Sequence, residues 1–166
     1  MQVKVTRKDM KFIPDPTRVI ARFTSYSESN DIRIIKNVLS MSEQDVDIAV
    51  NQVLRGYAKR HRNISNIFEK HFKKLKNSFE IENIIPDSLN QNRRLLIGSY
   101  FTMEYSIESA AYFNPSIVEH PDQTELHPDE KRIIMSFRAT GEGHISSIVF
   151  RSGVLDKNND MSFEPR

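Results

Sequence analysis

Hydrophobic and polar positions along the chain predict a helical first part and a strand-rich second part. Alternation at Val3 and Val5, and the run from Arg18 to Phe23, each predict a short strand. The polar residues from Thr24 to Asn30 predict a loop. From Ser42 onward the apolar residues recur at the spacing of an amphipathic helix.

Two successive amphipathic helices with a polar connection predict a helical hairpin. Ser42 and Asn63 are the expected N-caps of the two helices. The apolar faces consist of Val46, Ala49, Val50, Val53, Leu54 and Tyr57 in the first helix, and of Ile64, Ile67, Phe68, Phe72, Leu75 and Phe79 in the second. A shorter helix is expected to follow and to end at Gly98, which is a residue typical of helix C-caps.

Two β-branched runs, KRIIMSF and HISSIVF, predict an antiparallel strand pair that covers Arg132 to Phe137 and His144 to Arg151. Between them, RATGEG predicts a turn in which Gly141 and Gly143 take positive φ angles. One more short strand is expected within GVLDKNNDMSFEP. The predicted fold class is therefore α+β, with a mainly helical region at 1–97 and antiparallel strands at 98–166.

Composition excludes several classes of site. The chain of 166 residues has no cysteine, which excludes disulfides, cysteine–zinc sites and thiol nucleophiles. No secretory segment follows Met1 and no apolar run approaches the roughly 20 residues of a membrane span. A formal net charge of +2 does not by itself indicate a nucleic-acid or membrane partner. We expect a cytoplasmic protein that binds neither.

Two polar segments have alternative interpretations. The first has residue types that ligate metals, but their spacing matches no metal signature, so a solvated loop without metal is predicted. Its residues are His120, Asp122, Glu125, His127, Asp129 and Glu130. The second is a basic run that could contact nucleic acid, although the polar face of an amphipathic helix explains it equally simply. It comprises Lys59, Arg60, Arg62, Lys70, Lys73, Lys74 and Lys76, with Glu69 as its single acid.

The turn after the KRIIMSF strand is flanked by Arg138, Glu142 and His144. Arginine offers two parallel donors that suit vicinal hydroxyls or a phosphate, and histidine and glutamate can accept from sugar hydroxyls. A plain hairpin turn needs none of these side chains. From spacing alone, a hairpin turn and a ligand site remain equally open.

Two segments resemble a known family. YFNPSIV (112–118) and MSFRATGEGHISSIVFRSG (135–153) resemble the opening of the catalytic domain in glycoside hydrolase family 130. This family includes β-mannoside phosphorylases and β-mannosidases. Its short Asn-Pro-[Ala/Ser] and Arg-Ala motifs correspond to residues 114–116 and 138–139. The longer stretch from Gly98 to Gln123 resembles the subgroup that carries a helical extension before its propeller.

The resemblance implies a five-bladed β-propeller, of which this chain would contain the helical extension and the first blade. It implies that Asn114 and Arg138 contact the non-reducing-end mannose at the mouth of the central channel, with Ser116 beside them. Glu142 and His144 are further substrate-binding candidates at the same turn. Since Pro115 restricts the residue before it, Asn114 is expected to be extended and to face the same cavity as Arg138.

No residue of this chain matches the family's catalytic acid or its phosphate-binding residues, which are expected beyond Arg166. The chain is therefore interpreted as an N-terminal fragment, inactive alone, of an enzyme that cleaves β-mannosides. Cleavage would be by phosphorolysis or hydrolysis, with inorganic phosphate as co-substrate in the first case and no other cofactor. One alternative is a non-catalytic sugar-binding or oligomerisation module, in which the helical extension forms a homo-oligomer. A small nucleic-acid-binding protein is a further alternative.

Overall fold

The computed structural model describes residue 5, residues 7–78, residue 81 and residues 84–164. The described residues form four α-helices and two sheets, which confirms the α+β class. The elements in chain order are β1 (Val19–Phe23), α1 (Glu28–Ser40), α2 (Glu43–Ala58), α3 (Ile64–Lys76), α4 (Gln91–Tyr100), β2 (Thr102–Ser106), β3 (Ala111–Glu119), β4 (Lys131–Thr140), β5 (Ser146–Leu155) and β6 (Met161–Phe163). Of the residues assigned from sequence, Val3 and Phe79 lie outside the described residues.

The chain divides into two compact units. One is Val19–Tyr105, here called the helical unit, and the other is Met1–Arg18 together with Ser106–Arg166, here called the sheet unit. The sequence-based division was placed at 97/98. In the structure the residues before β1 belong with the strands of the sheet unit.

Helix α1 lies where the sequence predicted only a loop followed by undefined chain. Ser27 is its N-cap, and its hydroxyl accepts from the backbone N–H of Asn30 at 3.4 Å. The buried Asp31 accepts from Ser25 Oγ at 2.5 Å and from the backbone N–H of Tyr26 at 3.0 Å. Ile34, Ile35, Val38 and Leu39 recur at the spacing of an amphipathic helix, so the sequence does contain the pattern for α1.

Capping predictions for the other helices are partly confirmed. Ser42 caps α2, because its Oγ accepts from the backbone N–H of Asp45 at 3.1 Å. Asn63 precedes α3 with φ 56° and makes no side-chain cap hydrogen bond, so its predicted capping role is wrong. Gly98 is not a C-cap either, since α4 continues to Tyr100. A Cβ at Gly98 would overlap the backbone carbonyl of Phe68, so this glycine allows close contact between helices.

The apolar faces of the helices meet in one core rather than in a simple hairpin. Helix α4 packs against both α2 and α3, and more extensively than those two helices pack against each other. Ile35, Val46, Phe68, Ile97 and Phe101 have no solvent exposure in this core. The helical unit therefore encloses its hydrophobic residues on several sides.

The sheet unit contains a four-stranded antiparallel sheet in the order β3-β4-β5-β6. Alternation along β4 buries Ile133, Met135 and Phe137 on one face, here called the inner face. Phe12 covers this face, with its ring centroid 4.7 Å from that of Phe137. The opposite face, here called the outer face, includes the exposed Phe150.

The predicted β4–β5 hairpin is confirmed, but its turn differs from the prediction. Thr140 pairs with Ser146, and His144 belongs to a short 3₁₀ turn over Glu142–His144 rather than to the strand. Gly143 has φ 63°, as predicted. Gly141 has φ −92°, so the positive φ predicted for it is wrong.

Strand β3 has a bulge at the Asn-Pro motif. Phe113 pairs with Arg138 and Ser116 pairs with Ser136, so two residues of β3 lie opposite the single Phe137. Asn114 has φ 47° and is not extended, so that prediction is wrong. Proline has no N–H for the ladder and occurs in sheets at bulges, and asparagine is among the residues that tolerate the left-handed region.

Candidate functional site

Strand register brings the two motifs of the predicted sugar site side by side. Arg138 pairs directly with Phe113, the neighbour of Asn114 in the chain. Ser116 pairs with Ser136, which shares the outer face with Arg138 because the two are separated by two positions. Asn114, Ser116 and Arg138, which follows Ser116 by 22 positions, therefore lie along one short length of the β3–β4 pair.

Arg138 is exposed at the centre of this region. Its Nε donates to Ser146 Oγ on β5 at 3.0 Å, and this is its only side-chain hydrogen bond among the described residues. On either side lie Phe113, 49% exposed, and Ile148, 69% exposed. A guanidinium with a fixed Nε and an apolar surround can present its two Nη groups to a ligand. Its observed bond is directed toward β5, whereas Asn114 lies on β3.

Glu142 and His144 lie in the 3₁₀ turn beyond the end of this strand pair. The side chain of Glu142 is exposed, and the backbone of His144 ends the turn. A Cβ built at Gly143 would meet no heavy atom of the described residues within 4 Å, so the tip of the turn is sterically open toward them. The turn begins two residues after Thr140 and is thus displaced along the strand from Arg138.

A buried carboxylate stabilises the start of β3. Glu108 has no solvent exposure and accepts hydrogen bonds from Arg18 Nη1, from Tyr112 Oη and, at 3.3 Å, from the backbone N–H of Asp15. Arg151 Nη2 lies 3.4 Å from the same Tyr112 hydroxyl. A buried carboxylate needs such partners, because an unpaired one would carry a large desolvation cost.

This network was not among the predicted site residues. Tyr112 stacks on Phe137 with ring centroids 5.1 Å apart and lies two residues before Asn114, so the network holds the chain that leads into the bulge. Its partners Arg18 and Glu108 are 90 residues apart in sequence. Local pattern contains no signal of that pairing, since a buried glutamate and an exposed one look alike in sequence.

The loop between β3 and β4 is held by its own polar side chains. Asp122 Oδ1 accepts from the backbone N–H of Thr124 at 2.9 Å and from its hydroxyl at 2.6 Å. These hydrogen bonds are the main reason why the pKa of Asp122 lies below its ordinary value. Gln123 exchanges two hydrogen bonds with the backbone of Arg132, both at 2.9 Å. Within the described parts of the chain, no three His, Asp or Glu side chains are grouped so that they could hold a metal ion.

Several residues of the basic run have acidic or aromatic partners within the helical unit. Arg60 makes two hydrogen bonds to Glu104, at 2.8 and 2.9 Å, which raise the pKa of Arg60 and lower that of Glu104. Lys76 contacts Asp87 at 2.6 Å, and Lys74 lies 4.5 Å from the ring centroid of Phe23. The carboxylates of Glu104 and Asp87 offset the charges of Arg60 and Lys76, which reduces the positive charge available to a nucleic-acid backbone.

Comparison of the chain with protein-family models, curated proteins and solved structures finds no match. The helices in the described ranges include none with both the length and the apolar character needed to cross a membrane. The assignment of function therefore depends on the side chains of the β3–β4 region and on the motifs in which they occur.

Proposed function

We propose that this chain contributes the first sheet and the sugar-contacting residues of an enzyme that cleaves β-mannosides. Two of its segments resemble the opening of the glycoside hydrolase family 130 catalytic domain. The observation that carries the proposal is the pairing of Phe113 with Arg138, which brings the Asn-Pro-Ser motif next to the Arg-Ala motif. In this proposal the two motifs, which occur in consecutive strands, contact one sugar.

The chemistry of the region suits a sugar ring. The Nη groups of Arg138 can donate to two neighbouring hydroxyls, and the amide of Asn114 can both donate and accept. The exposed ring of Phe113 lies beside Arg138 and offers an apolar surface to the C–H face of the sugar. Ser116 adds a hydroxyl on the same length of strand.

These side chains position the substrate rather than transfer protons. Holding the mannose ring in a fixed orientation lowers the entropic cost of reaching the transition state. In phosphorolysis, inorganic phosphate attacks the anomeric carbon and gives mannose 1-phosphate. In hydrolysis, an activated water attacks instead, and in both cases an acid protonates the departing sugar. Glu142 and His144, at the turn, complete the substrate-binding set in this proposal.

The order and pairing of the strands in the sheet unit support the proposal. Strands β3 to β6 form a four-stranded antiparallel meander, each paired with the next along the chain. Propeller blades are four-stranded sheets of this type. The meander is therefore compatible with a first blade, and the helical unit with the extension that precedes it.

A non-catalytic interaction module is the second candidate. The observation that favours it is the apolar outer face, on which Ile148 is 69%, Phe150 66% and Val118 57% exposed. Contiguous apolar patches on a surface commonly mark interaction sites. Analytical ultracentrifugation distinguishes this candidate: a dimer that Phe150→Ser dissociates would support it, and a monomer at all concentrations would exclude self-association.

The sugar-binding proposal is tested by titrating the chain with methyl β-mannoside, with methyl β-glucoside as the stereochemical control. We expect saturable binding of the mannoside that Arg138→Lys weakens about tenfold, because a point charge replaces a bidentate donor. Arg132→Lys, on the same strand and face, is the matched control and should leave binding unchanged. The proposal would be contradicted if Arg138→Lys and Arg132→Lys lost the same affinity for the mannoside, or if the chain bound the mannoside and the glucoside equally.

A further inference from the structure

The sheet unit contains a cavity of about 380 Å³ on the inner side of the sheet. Small-molecule sites commonly range from about 300 to 1,000 Å³, so this volume is sufficient for a compact ligand. The cavity lies between the segment that precedes β1 and the last two strands. Its lining consists of Met10, Lys11, Phe12, Ile13, Arg151, Met161, Phe163 and Glu164.

The apolar walls are fixed by packing. Phe12 contacts Phe137 and Phe163, with centroid distances of 4.7 and 5.1 Å. A Cβ on Gly153 would lie 2.9 Å from the ring of Phe163, so the glycine leaves room for that ring. Because these rings are held by the sheet, the apolar part of the cavity is preformed, and binding there requires little reorganisation.

Arg151 contributes a guanidinium to the lining of this cavity. Arg151 pairs with Met135, whose side chain belongs to the buried inner face. Among the described residues the only side-chain partner of Arg151 is the hydroxyl of Tyr112, 3.4 Å from Nη2. That hydroxyl donates to Glu108 and therefore meets Arg151 as an acceptor. A half-buried guanidinium with one long hydrogen bond is stabilised by an anion that reaches its remaining donors.

We propose that this cavity binds a small organic monocarboxylate with an aromatic or branched apolar body. The carboxylate meets Arg151, and the apolar body lies against Phe12 and Phe163. Lys11 adds positive charge, while Glu164 lines the same cavity and opposes a second negative charge on the ligand. A monocarboxylate is therefore favoured over a phosphate dianion. This site is separate from the proposed sugar contacts on the outer face and does not depend on them.

The test uses phenylacetate, phenyl phosphate and 2-phenylethanol as matched probes of charge. Each is titrated into the full chain while backbone amide signals are followed by NMR. We expect phenylacetate to shift the signals of residues 10–13 and 161–164 saturably, and to bind about tenfold more tightly than the neutral alcohol or the dianion. Arg151→Gln should abolish that preference, whereas Lys157→Gln, in the turn before β6, should retain it.

Three outcomes would overturn the proposal. One is equal binding of phenylacetate and 2-phenylethanol, since the cation would then contribute nothing. Another is equal behaviour of Arg151→Gln and Lys157→Gln. The third is the absence of saturable shifts in residues 10–13 and 161–164. A melting curve of each variant, measured beside the titration, shows whether a loss of binding comes from unfolding, and Arg151→Lys provides a second substitution that keeps the charge.

Discussion

The helical unit and the sheet unit differ in the exposure of their phenylalanines, since the exposed ones among the described residues, Phe113 and Phe150, both lie in the sheet unit. In the helical unit, Phe68 and Phe101 have no solvent exposure and contribute to a core that α1 to α4 enclose. In the sheet unit, Phe137 on the inner face is buried, whereas Phe150 on the outer face is 66% exposed. Exposed aromatic rings on a regular sheet stabilise that unit little, so they mark the surface on which binding is expected.

Two arginines show the same contrast. Arg93, in the helical unit, is 6% exposed and donates to the backbone carbonyls of Val38 at 2.5 Å and Met41 at 3.0 Å. It also pairs with Glu43 at 2.5 Å. Arg138, in the sheet unit, is exposed and bonds to Ser146 alone among the described side chains. A buried arginine whose two Nη groups are hydrogen-bonded within the protein is structural, whereas an exposed arginine with unused Nη donors is suited to a ligand.

The largest expected effect is in the helical core. Phe72 is 4% exposed there, and Phe72→Ala should lower the free energy of unfolding by about 3–5 kcal/mol through lost contacts and a cavity. Phe150→Ala, on the outer face, is the matched control and should change it by less than about 0.5 kcal/mol. Urea denaturation followed by circular dichroism measures both. A similar decrease in the free energy of unfolding for both variants would mean that the outer face is part of a core.

The two arginines should also differ in stability. Arg93→Lys should destabilise the protein by about 1.5–3 kcal/mol, because lysine cannot bond the same carbonyls and carboxylate together. Arg138→Lys should leave stability within about 0.5 kcal/mol of the parent chain. The same denaturation experiment compares them. If Arg138→Lys is the more destabilising change, its role is structural and the contrast between the units is wrong.

A smaller effect, on the pH dependence of the free energy of unfolding, is expected from His71. It is buried, and its Nδ1 lies 2.7 Å from Thr102 Oγ1, which in turn donates to the Gly98 carbonyl at 2.8 Å. The hydroxyl therefore accepts from Nδ1–H of the ring. Burial, followed by the charges of Lys70 and Lys74, lowers the pKa of His71 below its ordinary value of 6.5.

The sign of the effect follows from this lowered pKa. As pH falls below 6.5, the unfolded chain protonates His71 before the folded chain does, so the free energy of unfolding declines. His71→Gln should reduce that decline between about pH 7.5 and pH 5. The pKa of Glu104 is lowered from 4.5, so its contribution is lost only at more acidic pH. An unchanged slope in the variant would show that His71 is not the responsible group.

The sequence predicted correctly those elements that depend on residues close together in the chain. The Ser42 cap and the β4–β5 pairing are confirmed, because a cap and a hairpin depend on neighbouring residues. Helix α1 has apolar residues at helical spacing, but it begins at Glu28, within the polar run Thr24 to Asn30 that was interpreted as a loop. Gly98 was misassigned because its role is a contact with Phe68, which is 30 positions away along the chain.

The candidate site was predictable in its residues but not in its geometry. The two sequence motifs identified Asn114 and Arg138 as candidates, and the strands that contain them are neighbours in the sheet. Asn114 is turned out of the extended conformation at a bulge, where Asn114 and Pro115 lie opposite the single Phe137, and the sequence alone does not specify this register. The Glu108 network depends on Arg18, in a segment remote from it along the chain.

The most direct test of the contrast between the units is a map of sugar binding on the whole chain. Amide signals are followed by NMR during titration with methyl β-mannoside. Our proposal predicts shifts at residues 112–116 and 138–144, with the residues of the helical unit, 19–105, unchanged. Shifts that centre on the helical unit, or that are the same with methyl β-glucoside, would contradict it.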